Sequence, residues 1–552
     1  MRCIAYRFLA AISPARNSVG PVCVGTGALA CPRRNSRARP RHTWISRAIL
    51  SAAAILPVIL SLILSMFAPM NSSAETRPHY GGVLRVMLRS APNALDLPAN
   101  GTPADYWDMA RTLSLMGDTL VKLDARDRPQ PALAVAWQRD PSARHWRFTL
   151  RRGVKFHDGS AASPAAIAQI LGAFHSGWNV RASADSASID IDSETPMPSL
   201  LAELALPRNL LLRHNASGLP IGTGPFLVAE YQPGKLLRLA ANEASWAGRP
   251  FVDAVEIEFG KALRDQAIAL ELNKTDLIEA APEAANGSHG PSTPTSLSLP
   301  VELLALVFSP NSKAQDPHLR EALALAIDRK PIQSVLLTGA GEPAASILPN
   351  WMTGYTAVFS SQRNPQRAQA ILAGSRQPAL NLAYDPRDPQ AQLIAERIAL
   401  NAREVGITVQ VSLSGADDIR LVRVVLPSPD PATSLAEAAR QLGLQPPALP
   451  ALRSNPLEDH SQDIHSWSDR SFRDRSLDDR SWDVHSLDDL YQGERGLLAG
   501  YTVIPLFHLP VASSASIRVR NWAPDPLGQW NQAGSSLADL CLTDWRAEAG
   551  SR

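Results

Sequence analysis

Three stretches carry residues whose types could do chemistry. Gly222-Thr223-Gly224 has the look of a phosphate cradle, but no third glycine and no helix opening come after it, so it fails the dinucleotide fingerprint. Its glycines instead permit tight backbone geometry, and Pro225 starts a strand. Between His460 and Asp489 run six pentads, HSQDI, HSWSD, RSFRD, RSLDD, RSWDV and HSLDD. Three His among many Asp attract a divalent cation weakly, yet no close His pair fixes a geometry. Thirty residues are also too few to stack a solenoid core, and the composition reads as a mobile polar insert on the surface. The third stretch holds an isolated carboxylate, Asp430, ahead of Pro431. By type and position it reads as a helix N-cap or turn residue. There is no Gly-x-Ser-x-Gly elbow, no His-Glu-x-x-His and no phosphate loop. The chain reads as a non-enzyme with no cofactor and no metal.

Composition narrows the class further. The 552 residues are 45% hydrophobic and 19% charged, as in ordinary globular chains, and are enough for two or three domains. The net charge of +2 misleads. Residues 1–74 hold nine Arg and no Lys, Asp or Glu; taking nine from the 54 basic residues leaves 45 against 52 acidic ones in 75–552. A body with that balance has no pull toward nucleic acid or anionic lipid. Cys3, Cys23 and Cys31 lie in the basic arm and only Cys541 beyond it, so the body has no internal disulfide. Ala48–Met70 is an uncharged, mostly apolar run that suits either a secretory signal peptide or a membrane anchor. Ser72-Ser73-Ala74 offers small residues for cleavage before Glu75, and the Arg residues ahead of the run predict export of the chain beyond it. A downstream start codon is a further reading of the long arm.

The elements that must position any site can be read from periodicity. Trp146, Phe148 and Leu150 alternate with polar residues, as in a half-buried strand, and Asp158-Gly159 marks a tight turn. Ser163-Pro164 supplies an N-cap and a first-turn proline for a helix through Phe174. Pro282–Pro300 is rich in Pro, Gly and Ser and reads as a crossover between lobes. Helical patterns over Leu319–Arg329 and Ala391–Val405, with strands at Leu380–Tyr384 and Ile407–Val411, give a βαβ unit stopped by Gly406. A helix resumes over Gly493–Ala499 before a strand at Tyr501–Phe507.

Five ordered segments resemble the family 5 extracellular solute-binding proteins, the dipeptide-, oligopeptide- and nickel-binding components of ABC importers. They are Pro131-Ala132-Leu133-Ala134 with Trp137 and Leu150–Gly159; Gly222–Phe226 with Asn242, Trp246, Gly248, Pro250 and Asp253; Leu319–Arg329; the βαβ unit; and Ile504-Pro505-Leu506. The resemblance implies an α/β, two-lobed periplasmic binding protein of the type II, Venus-flytrap kind, each lobe a mixed sheet flanked by helices. It divides the chain into the arm (1–74), lobe 1 (75–298, with an extra subdomain about 116–220), lobe 2 (299–499, with the insert 460–489) and a return to lobe 1 (500–552). It implies a monomer that closes over a short peptide or peptide-like solute and passes it to permease subunits in the inner membrane. It places Asn100, Thr102 and Tyr106 toward the ligand and makes Asp430 the partner of a peptide α-ammonium; by residue type, Trp351 and Tyr355 are candidates for aromatic lining. Val424-Val425-Leu426-Pro427 stands where relatives carry a Trp, and this leaves other solutes (nickel chelate, opine, sugar, haem) or a degenerate scaffold as alternatives. A transcriptional sensor of the same fold would need a helix-turn-helix where the apolar run stands.

Overall fold

The computed structural model describes residues 80–97, 103–449 and 486–542, less short stretches at 125, 185–186, 283–284, 286–294, 356, 361, 375–376, 389, 414–416, 521–523, 533–534 and 538–539. The basic arm, the apolar run, Asn100, Thr102 and the first five pentads lie outside the described residues. None of the helices among the described residues is long and apolar enough to cross a membrane.

The chain opens with strand β1 (Val83–Met87) and helix α1 (Pro103–Ser114). It then builds a separate four-stranded antiparallel sheet from β2 (Ala134–Arg139), β3 (His145–Leu150), β4 (Trp178–Ala182) and β5 (Ser188–Ser193), in the order β2-β3-β5-β4. Helix α2 (Pro164–Phe174) connects β3 to β4. Trp146, Phe148 and Leu150 all point into this sheet's core, as their alternation predicts. Ser163 caps α2 by accepting a hydrogen bond from the Ala166 amide, and Pro164 occupies the first turn, where its missing N–H is no loss.

Returning to the main sheet, the chain adds β6 (Phe226–Gln232), β7 (Leu236–Ala241), β8 (Ala254–Glu258), helix α3 (Leu263–Glu271) and β9 (Leu277–Ala280). The glycines ahead of β6 are there for contact. A Cβ on Gly222 would sit 2.1 Å from the Met116 carbonyl oxygen, and one on Gly224 would lie 2.6 Å from the Met116 carbonyl carbon. That close approach lets the Gly224 amide bond the Met116 carbonyl at 2.9 Å and the Phe226 amide bond that of Leu115 at 3.0 Å.

The long strand β10 (Thr295–Phe308) comes next, then helix α4 (Pro317–Ala326), β11 (Leu380–Ala383), helix α5 (Ala391–Glu404), β12 (Val409–Ser412), β13 (Ile419–Val425), helices α6 (Pro431–Gln441) and α7 (Leu487–Leu498), and a second long strand, β14 (Val503–Ala515). Thr295–Pro300, the end of the stretch read as a crossover, is strand, because its backbone finds a partner in β14. One expectation needs correcting. The last helix begins at Leu487, six residues before Gly493: Ser486 of the final pentad accepts from the Asp489 amide and donates to its carboxylate, a capping arrangement that converts HSLDD into a first turn.

All of these strands, apart from β2–β5, join in one sheet of order β6-β7-β8-β1-β9-β14-β10-β13-β11-β12. β1 runs parallel to β8 and β9, and β11 parallel to β12 and β13, while the other neighbours are antiparallel. Two apolar cores lie along it. One gathers Leu84, Val86, Leu237, Val255, Ile257 and Leu277; the other gathers Leu306, Leu323, Ile394, Ile398, Ile419 and Ile504. Among the described strands, β14 and β10 are the pair that passes from one to the other. In the middle of their pairing Pro300 faces Pro510, with register breaks on both sides of Pro300. Neither proline has an N–H to give, so the ladder is weakest where the sheet crosses between the cores.

Candidate functional site

Where the two halves meet, residues from both wall a cavity of about 40 Å³. Ser114 at the end of α1, together with Gly117–Thr119 and Lys122, forms one side; Ala205–Pro207 forms the next; Pro427-Ser428-Pro429, the loop between β13 and α6, forms the opposite side; and Gln529 fills the remaining corner. Asp118 is buried, and its carboxylate accepts from Thr223 Oγ1 at 3.0 Å and Trp246 Nε1 at 2.8 Å. It braces the wall. The lining therefore offers hydroxyls, an amide and one lysine among Leu, Ala and Pro side chains. Its volume equals about three water molecules at ~10–15 Å³ each.

Ion pairs cross between the halves. Arg208 grips Glu203 through two nitrogens and reaches Glu437 on α6 with a third. Arg387 Nη1 meets Asp105 Oδ2 on α1 at 3.0 Å. Trp107 packs with Val301, Val425 and Leu527, which brings α1 directly onto β10 and β13. Buried and half-buried charges pair elsewhere along the sheet. Arg89 binds Glu279 with its backbone amide and its guanidinium, and Arg423 forks onto Asp388 at 2.6 and 3.2 Å while touching Glu302 at 3.4 Å. Burial, with Glu279 close by, holds the Asp108 carboxyl up at about 7 against the opposing pull of Arg111 and Arg89. Burial likewise raises Glu302, although Arg423 beside it works the other way.

The described residues expected at the site separate into three groups. Tyr106 and Trp351 come together: both flank the Trp107–Val425 cluster, and Trp351 Nε1 donates to the Pro300 carbonyl at 2.8 Å, at the proline pair of the long strands. Burial raises the Tyr106 phenol, with Glu437 adding to the effect. Tyr355 stands elsewhere. Its hydroxyl donates to the buried Glu494 of α7, and its ring meets Tyr491 edge-on. Asp430 caps α6, with Oδ2 accepting from the Thr433 amide at 2.7 Å, while the three residues before it face the cavity. We therefore expect Asp430→Ala to lower stability by about 1 kcal/mol and Asp430→Asn to be nearly neutral in thermal melts, because asparagine caps as well as aspartate. A carboxylate that held an ammonium would instead show lost solute affinity in the Asn variant.

Sequence reasoning missed Arg208, Glu437 and Gln529. No local pattern marks them, because their partners lie 229 and 102 residues away.

Two cores threaded by two long strands, with a walled cavity between them, make this a two-lobed periplasmic binding protein fold. The dipeptide-binding protein of pseudoalteromonas sp. SM9913, solved with Met-Leu, superposes with a TM-score of 0.65 at 17% identity over 84% of this chain and 100% of its own. The profile of the bacterial extracellular solute-binding proteins, family 5, matches residues 128–419, more than half of the sequence. The chain belongs to that family. Among curated relatives, the nickel-binding periplasmic protein of Escherichia coli is 27% identical over 351 residues, 55% of this chain and 66% of the relative. The peptide transport periplasmic protein SapA of Salmonella typhimurium is 27% identical over 203 residues, 35% of this chain and 37% of the relative. The chain thus spans from about a third to just under two thirds of the length of these relatives.

Proposed function

We propose that this protein is the substrate-binding component of an ABC importer that captures a short peptide or peptide-like solute between its halves. The carrying observation is the cavity walled from both sides and latched by Arg208–Glu437 and Arg387–Asp105. A dipeptide does not fit in about 40 Å³, since pockets for small ligands run to ~300 Å³ or more. The halves must part to admit solute and close on it, and the proline-weakened middle of β10 and β14 is where they bend. In this reading lobe 1 comprises 75–298 and 500–552, lobe 2 comprises 299–499, and the closed form is what membrane permease subunits recognise. The body works outside the cytoplasm as a monomer, exported by the 48–70 segment, which is either cleaved before Glu75 or kept as an anchor. The role is binding, without catalysis.

The test is native mass spectrometry of protein purified from its own host, with small-angle scattering before and after solute removal. Co-purifying peptides and an expansion on their removal support the reading; an unchanged shape with no small molecule overturns it. A second solute class is a nickel chelate of the sort named for the Escherichia coli relative, and it gains weight if the Asp430→Asn variant keeps its affinity for peptide. Metal in the same spectra decides between them.

A further inference from the structure

The described part of the last thirty residues includes one turn that contacts α1, β10, β14 and the Pro427 loop. Asp525-Pro526-Leu527-Gly528 closes through the Gly528 amide on the Asp525 carbonyl at 2.9 Å, and the buried Asp525 carboxylate accepts from the amides of Leu527 and Gln529. Trp530 and Leu537, just beyond it, are buried in the core that contains β1 and β8. The turn is therefore fixed to that half of the molecule, and its other contacts reach outward. Arg111 Nε of α1 donates to the Gly528 carbonyl at 2.8 Å. The Leu299 amide of β10 donates to the Pro526 carbonyl at 2.7 Å, one residue from the Pro300–Pro510 pair. Gln529 Nε2 donates across the halves to the carbonyl of Pro427 at 3.3 Å, and both residues line the cavity.

The turn is seated tightly. Gly528 has φ +73°, and a Cβ there would lie 2.3 Å from Val511 Cγ2 of β14 and 3.4 Å from Arg111 Nη2. Only glycine fits, so the backbone that presents Gln529 cannot drift. The Gln529 side chain is half-buried, and it is the part of this turn that stands in the cavity wall. Its bond to Pro427 must break whenever the halves part, and its amide then has both a donor and an acceptor to offer an incoming solute.

We propose that Gln529 is a specificity-determining residue of the solute site, which trades its bond to the Pro427 carbonyl for one to the solute and so couples occupancy to closure. This rests on the solute-binding reading above. An amide suits a peptide group or a carboxylate, since its N–H donates to a carbonyl or carboxylate oxygen while its oxygen accepts from an N–H.

The experiment compares the full chain with Q529A and Q529E. Calorimetry with glycyl-glycine, L-alanyl-L-glutamate and L-alanyl-L-lysine reads affinity, and small-angle scattering of the solute-free protein reads closure. For any of the three that the wild type binds, Q529A is expected to weaken affinity at least tenfold. Q529E, which has no N–H to donate to Pro427, is expected, like Q529A, to lose the closed fraction that this bond keeps in the solute-free wild type, and so to scatter as a more expanded body. Wild-type affinity together with unchanged scattering in both variants overturns the proposal. If the wild type binds none of the three, the peptide reading is what fails. The scattering then still decides: expansion in both variants upholds the coupling, and no expansion overturns it.

Discussion

Gly222→Ala is expected to remove a large share of the protein's stability. The added methyl would sit 2.1 Å from the Met116 carbonyl oxygen and 2.7 Å from Leu212 Cδ2, distances that real Cβ atoms do not show. Relief would require the Met116 backbone to withdraw, but it is pinned. The Met116 carbonyl is bonded by the Gly224 amide, that of Leu115 by the Phe226 amide, and that of Asp118 by the Leu211 amide. Moving the segment would break several of these at once, beside the cavity wall at Gly117–Thr119. The expected cost is above ~4 kcal/mol, a large share of the ~5–15 kcal/mol by which proteins are stable. Soluble yield and a circular-dichroism melt check it. Gly496→Ala is the control. That glycine lies exposed in α7 with open space around it, so alanine should stabilise the helix by about 0.5–1 kcal/mol. A Gly222→Ala protein melting within a few degrees of the wild type would refute the argument.

The second large effect concerns pH. Glu494 is fully buried on α7, accepts from the amides of Ile347 and Leu348 and from the Tyr355 hydroxyl, and has no cation beside it among the described residues. Burial pushes its carboxyl from 4.5 up to about 7, and the three donors only partly offset that. The folded state therefore holds a proton that the unfolded state releases between about pH 4.5 and 7. Stability from this group is complete below pH 4.5 and is lost as pH rises through 7. The size is about 3 kcal/mol, at ~1.4 kcal/mol per pH unit of separation. Glu494→Gln keeps the shape, accepts from both amides and donates to Tyr355. Its stability relative to the wild type should thus climb by about 3 kcal/mol between pH 5 and pH 8 in urea titrations. A constant difference across that range would sink the assignment. The same carboxyl fixes Ile347, whose carbonyl bonds the buried His508 of β14, so this network anchors the segment that carries Trp351.

Much of the scaffold is legible in the sequence because its signals are local. Ser163-Pro164 announces α2, alternation announces β3, and the tight geometry read from Gly222 and Gly224 is the contact with Met116. The helix predicted over Ala391–Val405 runs from Ala391 to Glu404. Legibility fails where partners are distant in the chain. The length of β10 is set by β14, two hundred residues later, so the strand character of the crossover's end is not written in its own residues. The pentads conceal a helix start because Ser486 caps only in the context of the apolar face beyond it. Tyr355 reads as cleft lining on aromatic character alone, and that says nothing about which of several polar partners a hydroxyl will find. For Asp430 the residue type suits two roles, and the structure shows its carboxylate in the cap.

Because β14 pairs with β9 beside one core and runs with β10 into the other, no cut between the halves spares that central strand. Neither half can melt while its neighbour stays intact, since each would lose a shared ribbon from its interior. The two halves are thus one cooperative unit, and movement between them is an elastic flexing of a single body.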